Sequence, residues 1–352
     1  MYKVLMIGPG RDVRGGITSV VNAYYLQGIE GEVDVKYIPT MEDGSKLRKL
    51  YIAVKAYFQF YFQIKEYDIL HVHMAAQASF YRKYAFIKQA KRKNKKIIIH
   101  NHAADFDDFF YNQSNDSERS KIIKCFEIAD KVVVLSKEWA NFFSKTICSK
   151  EKIEILHNGI IVPSYIKKDY ANNNVLFLGR LGGRKGIYDL LKIIPNIITE
   201  IPDVRFYIGG DGEIEKCEKY AIDTGCAHCI EFTGWLNPEQ KAKYLEKCSI
   251  FVLPSYNEGM PMALLEAMGY GLASISTNVG GIPQVIDNKK DGIIINPGNT
   301  NQLYHELLIL LENKALKEKL GCLARKKICE NYTIQSNLKQ LLAIYKSLTS
   351  ME

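Results

Sequence analysis

Two segments in the second half of the sequence combine glycines with charged side chains. The first, residues 175–186 (VLFLGRLGGRKG), indicates a strand followed by a glycine-rich connection that contains Arg180 and Lys185. Glycines let a ligand approach the backbone closely, and a guanidinium and an ammonium supply charge opposite to a diphosphate. The segment therefore predicts an anion site at a strand end. The alternative is that both cations are simply solvated at the surface.

The second segment, residues 252–269, carries two carboxylates eight residues apart, Glu258 and Glu266. Pro261 suits a first helical turn, which places Glu258 in the loop before a helix and Glu266 inside it. Free N–H groups at this helix start would face the same side as the cations, and Glu266 would accept hydrogen bonds from a ribose diol. The alternatives are a helix-dipole partner for Glu258 and an ordinary surface charge for Glu266.

The first half offers weaker candidates. Residues 8–18 form a glycine-rich loop, containing Gly15 and Gly16, that leads from a predicted strand into a helix whose N–H groups could hold a phosphate. The loop lacks both the G-x-G-x-x-G and the P-loop patterns, so a plain strand-to-helix turn explains it equally well. Four histidines lie near predicted strand ends, where a lone histidine is more often a packed polar residue than a catalytic one. They are His71, His73, His100 and His102.

The elements that position these residues are predicted from twelve short β-branched runs, spaced widely enough for a helix between consecutive runs. This pattern is typical of βαβ units around a parallel sheet, and each half of the chain predicts a doubly wound sheet of its own. Residues 157–174 are polar and rich in turn formers, and they predict the interdomain linker. The runs are 4–7, 33–38, 69–73, 97–100, 131–135, 153–156, 175–178, 205–208, 230–232, 250–253, 273–276 and 292–294.

Composition limits the class of protein. The 352 residues fit two domains better than one core, and 47% hydrophobic with 24% charged residues excludes a disordered or collagen-like chain. No run approaches 18 uncharged apolar residues, and the N-terminus lacks a signal-peptide pattern, so we expect a cytoplasmic protein without a spanning helix. The tightest cysteine group, residues 217–229, lacks the second ligand pair of a structural zinc site. We therefore expect reduced thiols and no metal.

The net charge of +8 lies entirely in the first half, since residues 1–170 hold 27 Lys and Arg against 19 Asp and Glu. The densest basic run, residues 82–96, alternates with aromatics and suits an anionic membrane surface or an acidic partner, with a solvated helix face as the alternative. No nucleic-acid recognition motif accompanies the charge. The basic, aromatic segment 46–65 predicts a crossover helix that covers the sheet rather than one inserted in a membrane.

Three motifs carry a resemblance to a known family. Residues 179–186 (GRLGGRKG), 254–266 (PSYNEGMPMALLE) and 277–283 (TNVGGIP) resemble the retaining, nucleotide-sugar-dependent glycosyltransferases of family 4, also described as glycosyl transferases group 1. Residues 68–73 and 96–102 resemble strand ends on that family's acceptor side. The resemblance implies an α/β GT-B fold, in which two Rossmann-like doubly wound domains face a central cleft. It implies an acceptor-binding domain at 1–165, a nucleotide-sugar-binding domain at 166–330 and a C-terminal helix, 331–352, packing back on the first domain.

The resemblance also assigns roles, residue by residue. It makes His102 the active-site histidine that contacts the transferred sugar, and it places Glu258 beside that sugar. Arg180 and Lys185 neutralise the donor diphosphate, and Glu266 binds ribose. The remaining donor-binding positions are Gly15, Gly16, Trp235, Leu236, Gly259, Met260 and Pro261. No metal and no cofactor other than the nucleotide-sugar substrate are implied.

The implied function is transfer of a hexose from a UDP-linked sugar to a lipid-linked or glycan acceptor, with retention, in capsule or other surface polysaccharide synthesis at the inner membrane face. A nucleotide-sugar epimerase of the same architecture and a non-catalytic sugar-nucleotide-binding protein are the alternatives. Two departures leave the donor sugar open. Gln284 stands where the family commonly has Glu, and Ala103 follows His102 where a glycine is usual.

Overall fold

The computed structural model describes residues 2–349, which form two compact units. One unit combines the chain up to Gly159 with the segment from Ile334 onward, and the other spans Ile160–Thr333. Each is built on its own six-stranded sheet in which every pairing is parallel. The α/β, doubly wound architecture predicted from the sequence is therefore confirmed.

All twelve predicted strands are present, and the central strands are buried, nearly continuous apolar runs that a sequence displays directly. The strands are β1 Lys3–Pro9, β2 Asp34–Met41, β3 Ile69–Met74, β4 Lys96–Asn101, β5 Lys131–Val134, β6 Ile153–Ile155, β7 Asn174–Leu178, β8 Arg205–Gly209, β9 Ile230–Gly234, β10 Ile250–Leu253, β11 Ala273–Thr277 and β12 Ile293–Ile295.

Helices connect the strands and cover the sheets. The α-helices of the first unit are α1 Gly16–Leu26, α2 Ile29–Glu32, α3 Lys46–Gln63, α4 Ala78–Arg92, α5 Phe106–Tyr111, α6 Asp116–Ile128 and α7 Lys137–Thr146. Those of the second unit are α8 Ile187–Glu200, α9 Ile214–Asp223, α10 Pro238–Lys247, α11 Met262–Gly269, α12 Ile282–Val285, α13 Thr300–Glu312 and α14 Lys314–Asn331. The last helix, α15 Ile334–Thr349, belongs to the first unit.

The two sheets reverse direction at different places. The first has the order β2-β1-β3-β4-β5-β6, so its topological switch point lies between β1 and β3. The second has the order β12-β11-β10-β7-β8-β9 and reverses between β7 and β10. In doubly wound sheets ligands bind beyond the carboxyl ends of the strands at such a point.

The two faces of β3 have different chemistry. Leu70, Val72 and Met74 are buried in the main apolar cluster of the first unit, which includes residues of α3, α4 and α6. Because side chains alternate along a strand, His71 and His73 point to the opposite face. There His71 meets Tyr345 of α15, so the last helix completes the packing of the first sheet.

Helix α3 leaves most of its apolar side chains in solvent. The helix connects β2 to β3 and packs on the core, in line with the crossover interpretation, but only Ala56 and Phe60 of α3 are buried there. The exposed side chains are Leu47, Leu50, Tyr51, Val54, Phe58, Tyr61 and Phe62. Within residues 2–349, none of the helices combines the length and the apolar character that a bilayer span requires.

Candidate functional site

The charged residues predicted for the second unit lie at the switch point of its sheet. Lys185 follows β7, and Glu258 follows β10, which is the neighbouring strand although 73 residues separate the two side chains in sequence. The parallel arrangement brings both loops to the same edge of the sheet. Residues from two distant motifs therefore meet where the fold leaves room for a ligand.

Lys185 and Glu258 form a buried ion pair, with 2.5 Å between Lys185 Nζ and Glu258 Oε1. The side chain of Glu258 is 5% exposed and that of Lys185 is 16% exposed. Ser255 Oγ donates a second hydrogen bond, of 2.8 Å, to the same carboxylate oxygen. A carboxylate so enclosed is stable only while its partners remain, so both side chains are held in fixed positions.

Glycines bring the loops around this pair into close contact. Gly186 has φ +68, and a Cβ there would lie 2.0 Å from the carbonyl oxygen of Pro254. Gly280 has φ +53, and a Cβ there would lie 1.7 Å from the carbonyl oxygen of Glu258. Only glycine adopts both the conformation and the spacing at these two positions. The backbone thus positions Glu258 from both sides.

Arg180 differs from Lys185 in having no protein partner. Its side chain is exposed, and within the described part of the chain it makes neither a hydrogen bond nor an ion pair. The backbone beside it is tightly fixed, because Leu181 N–H donates to Asp211 O at 2.6 Å. Gly210 lies so close to Gly179 that a Cβ would stand 1.9 Å from the Gly179 carbonyl oxygen. Arg180 is therefore a free cation on a rigid support.

Glu266 lies in α11, five residues into the helix that begins after Pro261. It is half-buried, and its Oε1 lies 2.6 Å from Lys241 Nζ of α10. Gly259, Met260 and Pro261, just before the helix, are buried. At the end of β9, Trp235 is exposed and Leu236 is half-buried.

The glycine-rich loop of the first unit is open to solvent. Gly15 and Gly16 are both exposed, Gly16 begins α1, and a Cβ at either would meet nothing within 4 Å. The cavity beside this loop, about 630 Å³, is lined instead by other residues of the first unit, which include Arg11, Asp12 and Arg48. The structure therefore leaves the N-terminus of α1 accessible without enclosing a pocket around Gly15 and Gly16.

The four candidate histidines of the first unit come together. His102 follows β4 and is half-buried. Its backbone N–H donates to Met74 O at 2.7 Å, and its ring Nε2 lies 2.9 Å from His73 Nδ1. Its ring stacks on that of His100, with 4.1 Å between the ring centres. Burial, with smaller contributions from the charges of His71 and Lys83, lowers the pKa of His102 to about 3. His102 is therefore a neutral imidazole at physiological pH.

Two partners of the predicted site residues were not predicted from the sequence. The sequence does contain a signal for Ser255, because it stands three residues before Glu258 and suits a hydrogen bond to that carboxylate. It contains none for Lys241, which meets Glu266 only through tertiary packing. His73 was a candidate, but its contact with His102 also arises only through the fold. Lys83 was counted in the basic surface run but is buried, with its Nζ donating to Ser79 Oγ at 2.8 Å.

Comparison with known proteins adds a family relationship. A family model described as Glycosyltransferase Family 4 matches residues 22–162, and one described as Glycosyl transferases group 1 matches residues 172–313. An uncharacterized glycosyltransferase of Methanocaldococcus jannaschii is 30% identical over 195 residues, which are 55% of this chain and 53% of the relative. The match thus spans about half the length of that curated relative.

Solved structures support the fold. Sucrose-phosphate synthase from Thermosynechococcus elongatus aligns with a TM-score of 0.82 at 17% identity and covers 100% of both chains. HepE of Anabaena, solved in complex with UDP, aligns with a TM-score of 0.77 at 13% identity over 98% of this chain and 100% of that one. At such identities the likeness is one of fold.

Proposed function

Because the chain belongs to glycosyltransferase family 4 and has the GT-B fold, we propose that it transfers a sugar from a nucleoside-diphosphate donor to a glycan or lipid-linked acceptor. We take the donor to be a UDP-hexose, as supported by the UDP complex of a protein with the same fold. The transfer proceeds with retention of anomeric configuration, in the assembly of a surface polysaccharide at the cytoplasmic face of the membrane.

The observation that carries this proposal is the charge at the switch point of the second sheet. Arg180 is free and exposed, Lys185 is fixed by Glu258, and the three formal charges leave one net positive charge at this edge. A departing diphosphate develops negative charge, and prepositioned cations stabilise it without reorganisation. These two cations can fulfil that task without a divalent ion at the diphosphate.

The other side chains fit the remaining parts of a donor. Glu266 accepts hydrogen bonds from the ribose diol, and residues 259–261 with Trp235 and Leu236 line the nucleotide side. Gly15 and Gly16 offer the N–H groups of α1 to the phosphates. His102 is neutral, so it donates or accepts a hydrogen bond at a sugar hydroxyl rather than adding charge. The leaving phosphate takes the proton of the acceptor hydroxyl in a front-face displacement.

The acceptor side is proposed to lie against an anionic membrane. The exposed apolar side chains of α3 continue into the basic end of α4, where Lys93 Nζ lies 6.0 Å from the ring centre of Tyr61. Lys91 and Arg92 are exposed beside it. An apolar face bordered by cations matches the boundary between acyl chains and anionic headgroups, where each basic residue near the surface contributes about 1 kcal/mol.

The test of function is donor binding followed by product analysis. Thermal unfolding is measured with UDP, GDP, ADP and their hexose conjugates, because a ligand that binds only the folded chain raises the midpoint in proportion to its affinity. The best donor, carrying a radiolabelled sugar, is then incubated with membrane lipid extract. Label in a lipid or glycan product supports transfer.

Other products decide between the alternatives. Label in a different free nucleotide sugar would identify an epimerase and contradict transfer. A raised midpoint without any product, across all donors and extracts, would favour a non-catalytic binding protein. Lys216→Met is the matched control for variants of the donor site, since Lys216 is an exposed cation of the same unit and its ion pair with Glu213 is local.

A further inference from the structure

We propose that the first unit binds a divalent transition-metal ion, Zn²⁺, through the imidazoles of His71, His73 and His100. One ligand nitrogen from each of these three buried residues lies within 4.8 Å of the other two. The proposal concerns a buried metal site in the first sheet and stands independently of the sugar-transfer function.

The register of the sheet creates this cluster. His71 and His73 are two residues apart on β3, and His100 of β4 is the direct partner of His73. All three therefore project from one face of the sheet. Their rings lie 4.4 to 5.5 Å apart, between centres. No other such group of three or more potential ligands occurs among residues 2–349.

The nitrogens of the cluster lack the partners that burial normally requires. His71 Nε2, His73 Nε2 and both nitrogens of His100 are buried without a hydrogen bond. Leaving a buried polar atom unpaired destabilises the folded chain, so several such atoms in one place need an explanation. Coordination of one ion satisfies three of them at once.

The opposite nitrogens of two ligands are already hydrogen-bonded. His71 Nδ1 lies 2.6 Å from Tyr345 Oη, and His73 Nδ1 lies 2.9 Å from His102 Nε2. Metal-bound histidines typically donate their other ring N–H to such a partner, which fixes the tautomer and the ring orientation. With the ion on Nε2, His73 becomes the donor to His102 and thereby sets the tautomer of that residue.

The chemistry of the donor set selects the metal. Three imidazoles with no carboxylate or thiolate suit zinc, at about 2.0 to 2.1 Å per bond, with water as the fourth ligand. The rings are 8° to 32° from parallel, so the lone pairs converge by rotation about χ2, chiefly of His100, whose two nitrogens hold no hydrogen bond.

The experiment measures metal content and stability rather than activity. The purified chain is loaded with ZnCl₂, dialysed extensively and analysed by mass spectrometry for zinc, and a Co²⁺-substituted sample is examined by visible absorption. We expect about one ion per chain, a raised unfolding midpoint and the cobalt spectrum of nitrogen and oxygen ligands. Tyr345→Phe, which removes only a supporting hydrogen bond, should weaken zinc binding about 10- to 100-fold.

Controls assign the ion to the cluster. His100→Phe should lose both the ion and the zinc-dependent rise in unfolding midpoint. The rise is measured against a metal-free sample of the same variant, so that a change in the variant's stability does not affect the comparison. The double variant His228→Gln/His305→Gln removes two exposed histidines of the second unit and should retain both. Full zinc occupancy in His100→Phe, loss in the double variant, a sulfur-to-cobalt charge-transfer band, or no zinc in the wild-type chain would each overturn the proposal.

Discussion

Replacing Lys185 by Met tests the ion pair on which the donor site depends. At 2.5 Å and an effective dielectric constant of about 20, the attraction between Lys185 and Glu258 is about 7 kcal/mol before desolvation is subtracted. Removing one partner of a buried pair costs about 3 to 5 kcal/mol, because the other charge stays buried. Ser255 still donates to Glu258 and offsets about 1 kcal/mol. We therefore expect Lys185→Met to lower the free energy of unfolding by about 2 to 4 kcal/mol.

The two tryptophans allow each unit to be followed separately, since Trp139 lies in the first and Trp235 in the second. Denaturant unfolding is therefore monitored by Trp235 fluorescence in a Trp139→Phe background. Adding Glu258→Gln to Lys185→Met should cost about 1 to 3 kcal/mol less than the sum of the single variants, because the uncompensated carboxylate is gone. Turnover should fall about 100-fold or more in Lys185→Met.

Lys216→Met is the matched control, because its ion pair with Glu213 is exposed and should leave the midpoint unchanged. If Lys185→Met were as stable as this control, or if the single losses were additive, Lys185 and Glu258 would not be a buried pair in solution. The electrostatic account of the donor site would then be refuted.

Three further predictions address other parts of the molecule. Glu266→Ala should weaken UDP binding about tenfold or more, as expected for loss of a charge-assisted hydrogen bond, with little change in turnover. If calorimetry gave the variant the same UDP affinity as the wild-type chain, Glu266 would not bind the ribose. Gly280→Ala should destabilise the second unit by about 1 to 3 kcal/mol. Gly182→Ala, in extended backbone with open space around it, should not. Equal denaturant midpoints for the two variants would contradict the close approach of Gly280 to the Glu258 carbonyl oxygen. Burial lowers the pKa of Lys83 to about 7. Between about pH 7 and the ordinary lysine pKa, the unfolded chain therefore binds one more proton than the folded chain. The free energy of unfolding should rise there by about 1.4 kcal/mol per pH unit. Lys83→Met should abolish that rise, as measured by Trp139 fluorescence, and an unchanged slope would show that Lys83 is not the titrating group.

The membrane proposal has its own test. Lys91, Arg92 and Lys93 are exposed and border the apolar face of α3, so their joint replacement by Glu should weaken sedimentation with anionic vesicles in a salt-dependent way. Replacing Lys121, Lys124 and Lys145 by Glu, on two other helices of the same unit, changes the net charge equally and is the control. Equal sedimentation of both variants and the wild-type chain would contradict a specific membrane surface.

The strands were predictable because a parallel strand covered on both faces must be apolar along its whole length. Val132 and Val133, on opposite faces of β5, are both fully buried, and the sequence shows this as an unbroken run. The orientation of α3 was not predictable in this way. Its aromatics occupy most of its circumference, so no periodicity distinguishes the strip around Phe60 that packs on the core from the side chains left in solvent.

The site was predictable as a set of residues but not as an arrangement. Lys185 and Glu258 each follow a strand with glycines nearby, which is a local signal. Their ion pair depends on β7 and β10 being neighbours, which is a property of strand order and is not encoded in either segment alone. The same holds for His73 and His102, because their contact follows from the register between β3 and β4.

The return of α15 to the first sheet has a consequence for biosynthesis. Domains that are contiguous in sequence can fold as they leave the ribosome, N-terminal domain first. Here the unit that is translated first acquires its Tyr345 contact with His71 only after the whole second unit has been made. One face of the nascent first sheet therefore stays incompletely covered until α15 has been translated. We expect the second unit to reach its native structure earlier than the first.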